Sequence, residues 1–235
     1  ASGGASGGAS GAAAGVAAPA RPVVHSICDL SHEFTFYLDG RFHRQYLAEH
    51  GRDARNWGSL ARLDLSNANL LVLVGGDPRL PYAADAIDHV AAAAAAGGTV
   101  LLMVDGGAPM PPGAAVAARF GVELRTESAR PPLRGAAEVA GHDVAFRSGT
   151  VLEPPADWTP LVLDAGDRPV LAAGRVGDGH VIVGSRGLFG HRPDASDPIN
   201  AAWVTPMLVR RAEQRPIDPD RPHRSTFVRR TREAG

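Results

Sequence analysis

The alternation of apolar and polar positions predicts short buried strands separated by helices and turns. Residues 70–74 (LLVLV) and 99–104 (TVLLMV) are continuous apolar runs, and each leads into a loop rich in Gly, Asp and Pro. Residues 83–96 between them are Ala-rich, of helical length, and end at two glycines. This order of strand, helix and strand predicts a βαβ unit, whose strands are apolar throughout because helices cover both faces of a parallel sheet.

Elements of the same kind are predicted on either side of this unit. Residues 23–28 form a short apolar run, typical of a buried strand, that ends at Asp29. Residues 41–50 carry apolar side chains at helical spacing, and we expect Gly51 to end that helix. A further helix is predicted over residues 113–120.

The second half of the chain has a different character. Short apolar pieces separated by Pro and Gly fill residues 125–165, and two β-rich runs, 168–176 and 180–186, flank a Gly-Asp-Gly turn typical of a hairpin. A last helix is predicted to begin near Asp197, with Pro206 expected to kink it or delay its start. Its predicted core-facing residues are Ile199, Trp203, Met207 and Leu208.

These patterns predict an α/β fold: a three-layer, mostly parallel, flavodoxin-like or Rossmann-like sheet with a C-terminal β-hairpin and a final helix. Residues 1–21 predict a flexible Gly/Ser/Ala linker, residues 22–213 the α/β domain, and residues 214–235 a disordered Arg/Pro-rich tail.

Composition limits the function classes. The 24 basic residues are all arginine and the net charge is −1, so we expect no nucleic-acid partner. The absence of Lys, with abundant Ala, Gly and Pro, fits a GC-rich bacterial genome. There is one cysteine, Cys28, and no apolar run approaches the roughly 20 residues of a transmembrane helix.

The first residues form a linker without an initiating Met, which favours an exported product or a piece of a longer polypeptide. We therefore expect an exported or membrane-tethered location more than a cytoplasmic one. The expected partner is a protein or a fused domain reached through the N-terminal linker.

Several segments resemble the class I glutamine amidotransferase-like superfamily, in particular its non-catalytic ThuA-like, gliding-motility and intraflagellar-transport type domains. The first strand runs into Asp29-x-x-His32, and NANLLVLVGGD and AAAAGGTVLLMVDG are similar to the family's strands and the helix between them. GRVGDGHVIVGSRGLFG followed by PINAAW is similar to its closing hairpin, loop and helix. The resemblance covers residues 22–213.

The catalytic triad of that superfamily does not carry over. A working amidotransferase needs a Cys on the turn after the central strand, but here the turn reads Asp105-Gly106-Gly107. Cys28 lies on the first strand, too early in the chain. Without a thiolate nucleophile no acyl-enzyme forms, so the resemblance implies a pseudoenzyme.

Ligands of open parallel sheets bind beyond the carboxyl ends of the strands. That rule selects a set of candidate ligand-binding residues: Asp29, His32, Glu33, Gly75, Gly76, Asp77, Asp105, Gly106, Gly107, Arg186, Phe189, His191 and Asn200. Four of them are candidates for acid/base work: His32, Asp29, Asp105 and His191.

Each candidate has a structural alternative. The carboxylates and imidazoles suit a divalent metal, or they cap backbone amides; no other cofactor is expected. The turns at Gly75-Gly76 and Gly106-Gly107 either bind an anion through their backbone N–H groups or are tight strand-to-helix turns that only glycine can form. Arg186 binds a ligand anion, or it pairs with Asp29 or Asp105. A nucleophilic Ser185 is rejected because Val183 stands where the serine-hydrolase turn needs Gly.

The function predicted from the sequence is a non-catalytic domain that binds a ligand or a protein, or acts as a scaffold. The alternative is a hydrolase or isomerase acting on a sugar-like or other small polar substrate, with the His and Asp residues as its site. We favour the first because the nucleophile is missing.

Overall fold

A computed structural model describes residues 23–31, 42–56, 58–75, 81–104, 113–190, 196–218 and 220–221. Its ten strands are β1 Val24–Asp29, β2 Gly51–Asn56, β3 Leu70–Gly75, β4 Thr99–Val104, β5 Glu123–Ser128, β6 Arg134–Gly135, β7 Thr150–Glu153, β8 Thr159–Leu163, β9 Pro169–Val176 and β10 Gly179–Ser185. The helices are α1 Ala84–Ala95, α2 Ala114–Arg119 and α3 Ser196–Ala212. A π-helical turn spans His43–Leu47, and 3-10 turns span Leu60–Arg62, Ala137–Val139 and Arg186–Leu188.

Eight strands form one sheet in the order β2-β1-β3-β4-β10-β9-β8-β6. The first five are parallel to one another, and β9, β8 and β6 continue the sheet through antiparallel pairs. With β10 as the fifth parallel strand, the order of this half is that of a flavodoxin-like sheet. The α/β class and the Rossmann-like layout expected from the sequence are therefore present.

Apolar side chains are buried on both faces of this sheet. Because neighbouring residues of a strand point to opposite faces, Leu70 and Leu71 belong to different clusters. One cluster includes Trp203 and Leu208 of α3, and the other includes Val90 of α1 and residues of α2. This arrangement explains why β3 and β4 are apolar throughout.

The helix predicted over residues 41–50 is replaced by a π-helical turn, His43–Leu47, and Gly51 begins β2 instead of ending a helix. The backbone explains the glycine: a Cβ on Gly51 would collide with the carbonyl oxygen of Val24 on β1. Gly51 is thus required where the two strands approach each other.

The hairpin and the last helix are confirmed, with two differences. Strands β9 and β10 pair in antiparallel register around residues 177–178. Trp203, Met207 and Leu208 are buried, but Ile199 is 42% exposed, so its predicted core position is wrong. Helix α3 continues through Pro206, which lies on its exposed side.

The first residues of the predicted C-terminal tail are bonded to the domain. The Asn67 side chain accepts a hydrogen bond from the Asp218 N–H at 2.9 Å and donates to the Asp218 carbonyl at 3.1 Å. The Arg215 guanidinium donates to the carbonyls of Ala68 and Ser66. Residues 214–218 and 220–221 therefore lie against the turn that leads into β3.

Candidate functional site

The carboxyl ends of four parallel strands lie together at one end of the sheet. Asp29 ends β1, Gly75 ends β3, Val104 ends β4 and Ser185 ends β10. We call the surface formed by these strand ends the rim. Strand order reverses between β1 and β3, and such a switch point is where open α/β sheets bind ligands. Asp29 and Gly75 stand on its two sides.

Asp29 is fully buried and held by two neighbouring side chains. The Asn56 amide donates to Asp29 Oδ1 at 2.8 Å, and the Ser31 hydroxyl lies 2.9 Å from both carboxylate oxygens. Asn56, at the end of β2, also bonds the backbone of Gly58 in both directions. These side-chain bonds tie the ends of β1 and β2 together.

Gly75 lies where two backbones meet at the rim. A Cβ at this position would come within 2.7 Å of the Gly113 nitrogen, and one on Gly113 would come within 2.9 Å of Val104 Cγ1. Real Cβ atoms do not approach that closely, so only glycine fits at either position. The end of β3 can therefore pack directly against the residue that precedes α2.

Ser185 and Arg186 begin the connection from β10 to α3. The Ser185 hydroxyl donates to the Thr150 carbonyl at 2.9 Å and accepts from the Thr150 N–H at 2.9 Å. That pair of bonds holds β7 against β10 and agrees with the rejection of Ser185 as a nucleophile. Arg186 follows at 4% exposed, in the turn Arg186–Leu188.

Phe189 and Asn200 lie behind the rim. Phe189 is fully buried in the cluster that contains Trp203. Asn200 is 2% exposed; its amide nitrogen donates to the carbonyls of Ala145 and Leu188 at 2.7 Å each. Its amide oxygen accepts from the Ala145 N–H at 2.9 Å. Asn200 thereby fixes α3 to two connecting segments.

The structure places Asp29, Gly75 and Arg186 at the rim. It places Phe189 and Asn200 in the core beside the rim. The remaining candidates lie outside the described residues: His32, Glu33, Gly76, Asp77, Asp105, Gly106, Gly107 and His191. Their roles stay predictions, and so does the convergence of the whole set on one pocket.

Cys28 lies inside β1, 7% exposed, in the same apolar cluster as Leu70 and Trp203. It is the single cysteine of the chain. A nucleophilic cysteine needs solvent access and a polar environment that stabilises its thiolate. The position of Cys28 is that of a small core residue.

Two polar residues around the rim, Asn56 and Thr150, were not among the sequence candidates. Asn56 belongs to a strand whose polar sequence gave no strand signal, and Thr150 bonds Ser185 across 35 positions of the chain. No local pattern identifies the Thr150 pairing.

Within the described ranges no group of three or more His, Cys, Asp or Glu residues is placed to hold a metal ion. The structure gives no helix in those ranges with the length and apolarity to cross a bilayer.

Solved structures with the same fold are found among proteins of several kinds. The mmIFT52 N-terminal domain matches with a TM-score of 0.61 at 15% identity, over 78% of this chain and 96% of that one. A ThuA-like protein from Parabacteroides merdae matches with a TM-score of 0.52 at 12% identity, over 83% and 89%. An exo-β-1,4-mannosidase from an Opitutaceae bacterium matches at 0.51 and 18% identity, over 78% of this chain and 35% of that chain.

No protein-family model matches the chain, and neither does any curated protein. At these identities the likeness concerns the fold alone. The chain therefore shares its fold with ThuA-like and mmIFT52-like domains, as the sequence resemblance predicted.

Proposed function

We propose that this chain is a non-catalytic binding or scaffold domain and that its rim holds a partner protein. The observation that carries the proposal is the position of Cys28. Cys28 on β1 carries the only thiol of the chain, and it is packed in the hydrophobic core. The sequence that follows β4, where the amidotransferase nucleophile would stand, reads Asp105-Gly106-Gly107. Glutamine hydrolysis by a covalent thioester requires a nucleophile that this chain does not supply there.

Hydrogen bonds at the rim and in the core behind it support the same proposal. The Ser185 hydroxyl and the Asn200 amide are both engaged by backbone groups, which is typical of residues that hold loops in place. A rigid surface is what a binding site requires, because rigidity reduces the entropy lost on association. Ile199 adds an exposed apolar side chain next to Asn200.

The alternative is a hydrolase or isomerase acting on a sugar-like or other small polar substrate. The fold likeness to part of an exo-β-1,4-mannosidase is the observation that favours it. In that case His32, Asp105 and His191 would provide acid/base groups, with or without a divalent metal beside Asp29.

Turnover measurements separate the two. The purified protein, its Cys28→Ser variant and its His32→Ala variant are incubated with glutamine, and separately with a panel of p-nitrophenyl glycosides. We expect no ammonia and no nitrophenol above the buffer rate from any of the three. Turnover that Cys28→Ser abolishes would contradict the claim that the chain lacks a catalytic nucleophile. Turnover that His32→Ala abolishes would establish the hydrolase or isomerase alternative.

Elemental analysis of the same samples addresses the metal. Stoichiometric zinc, manganese or another divalent ion in the wild type, lost in His32→Ala, would also favour the enzyme. A bound metal would further raise the unfolding temperature, and a chelator would remove that gain.

A further inference from the structure

Strand β5 is the most exposed strand of the described part of the molecule. Five of its six residues are exposed and Leu124 is half-buried. It forms a two-stranded sheet with β7, and in the described ranges no other strand pairs with it. One edge of β5 therefore presents backbone N–H and C=O groups that a further strand could bond.

The pairing between β5 and β7 is irregular. Leu124 lies opposite Leu152 and Ser128 opposite Thr150, so four steps along β5 correspond to two steps along β7. Residues 125–127 consequently bulge away from the partner strand. A bulge takes backbone groups out of the ladder, and one of them, the Arg125 carbonyl, accepts a hydrogen bond from the Thr150 hydroxyl.

The charges around this strand are unbalanced. The Arg125 guanidinium donates a hydrogen bond to the carboxylate of Glu153 on β7, and this bond is the main reason why the pKa of Arg125 is raised. Glu123 and Glu127 lie close enough to raise it further. Glu127 also lies close to Arg168, whose guanidinium pairs with Asp164. Four carboxylates (Glu123, Glu127, Glu153 and Asp164) against two guanidiniums (Arg125 and Arg168) leave a net charge of −2. Glu123 and Glu153 are moreover directly opposite each other across the two strands. Like charges in that position are destabilising, and a cation from outside would relieve the repulsion.

We propose that the open edge of β5 binds an extended, arginine- or lysine-bearing segment of a partner protein, which adds to the two-stranded sheet as a third strand. The backbone would provide the affinity, as in other complexes formed by strand addition. Basic side chains at alternate positions would meet the carboxylates of Glu123 and Glu127. The proposal rests on Glu123 and Glu127 of β5 and uses none of the rim residues Asp29, Gly75 and Arg186, so either proposal can fail without the other.

A peptide titration tests the proposal. The probe is a short, acetylated, fluorescein-labelled peptide in which Arg alternates with Thr and Val, and the readout is fluorescence anisotropy with the full-length protein at low salt. We expect saturable binding. Glu123→Gln/Glu127→Gln should weaken it about three- to tenfold, since each exposed ion pair contributes a modest part of the affinity.

Two controls separate strand addition from simple charge attraction. The same peptide with alternate backbone amides methylated keeps its charge but cannot complete the ladder, and we expect it to bind at least tenfold more weakly. The matched protein control is Asp178→Asn/Asp220→Asn, which removes two exposed carboxylates elsewhere and should leave the affinity unchanged within twofold.

Several results would overturn the proposal. These are the absence of saturable binding, equal binding of the methylated peptide, or equal losses in the two double variants. Self-association of the protein that Glu123→Gln/Glu127→Gln abolishes would assign the edge to a second copy. Tighter peptide binding after Arg229→Gln/Arg230→Gln would assign it to the tail of this chain.

Discussion

Replacing Asn200 by alanine tests whether this residue holds the scaffold or serves a ligand. In the structure its side chain makes three hydrogen bonds to the backbone of Ala145 and Leu188, at 2.7 to 2.9 Å. Asn200→Ala removes all three and leaves two carbonyls and one N–H, in a site that is 2% exposed, without this partner.

The expected loss follows from these bonds. Each contributes about 1 kcal/mol net, and an unsatisfied buried group costs about 1–3 kcal/mol. We therefore expect the free energy of unfolding to fall by about 3 kcal/mol, a large part of the roughly 5–15 kcal/mol of a typical domain. For a domain of this size the unfolding midpoint should fall by about 6–12 °C.

The assay is urea unfolding followed by tryptophan fluorescence, combined with thermal scans. Gln214→Ala is the control, because it removes an exposed amide and should change stability by no more than about 0.5 kcal/mol. Asn200→Asp retains an acceptor for the Ala145 N–H but loses both donors, so it should also destabilise. If Asn200→Ala unfolds within about 1 kcal/mol of wild type, the structural role is refuted and the amide is available to a ligand.

Two further predictions concern pH. Burial is the main reason why the pKa of His25 lies below its ordinary value of 6.5, although hydrogen bonding to the Asn67 backbone opposes it. The unfolded chain therefore takes up the proton first. Stability should fall as the pH drops below 6.5, by at most about 1.4 kcal/mol per pH unit, until the folded state also binds the proton, and it should recover above pH 6.5. Urea titrations should show this slope vanish in His25→Gln, and an equal slope would exclude His25 as its source. Burial would raise the pKa of Asp164, but hydrogen bonds led by the Arg168 side chain outweigh it and hold the pKa well below 3.8. The ionised Asp164 carboxylate therefore contributes to stability above about pH 4, and this contribution is lost as the pH falls further. Asp164→Asn should lower the free energy of unfolding at pH 7, and the variant should lose less stability on acidification than the wild type. Equal losses of stability in the two proteins on acidification would contradict this.

The elements that could be predicted are those whose local pattern and tertiary role agree. Strands β3 and β4 and helix α1 come from long apolar or Ala-rich runs bounded by glycine, and the β9–β10 hairpin has its own turn signal. Strand β2 could not be predicted, because its sequence, GRDARN, is polar and it is stabilised by parallel pairing with β1. The same holds for residues 215–218, whose sequence resembles that of a free tail but which Asn67 bonds to the domain through Asp218.

The candidate site stays a prediction, because most of its residues lie outside the described ranges. The rule that ligands lie beyond strand ends selected Asp29, Gly75 and Arg186, and all three stand at the rim. It could not reveal that Asn56 holds the Asp29 carboxylate, because that contact joins residues 27 positions apart. The rule also could not show that the Asn200 amide is bonded to backbone groups and is not exposed to a ligand.

Site-specific photo-crosslinking tests the central claim, that the rim is a protein-binding surface, most directly. A benzoylphenylalanine is introduced at Ile199, beside the rim, and in a second protein at Val23, which precedes β1 at the other end of the sheet. The two wild-type side chains are similarly exposed, at 42% and 38%. In cells that make the full-length protein, we expect a discrete crosslinked protein from position 199 and none from position 23. Equal products from both positions, or a product from position 23 alone, would contradict the account.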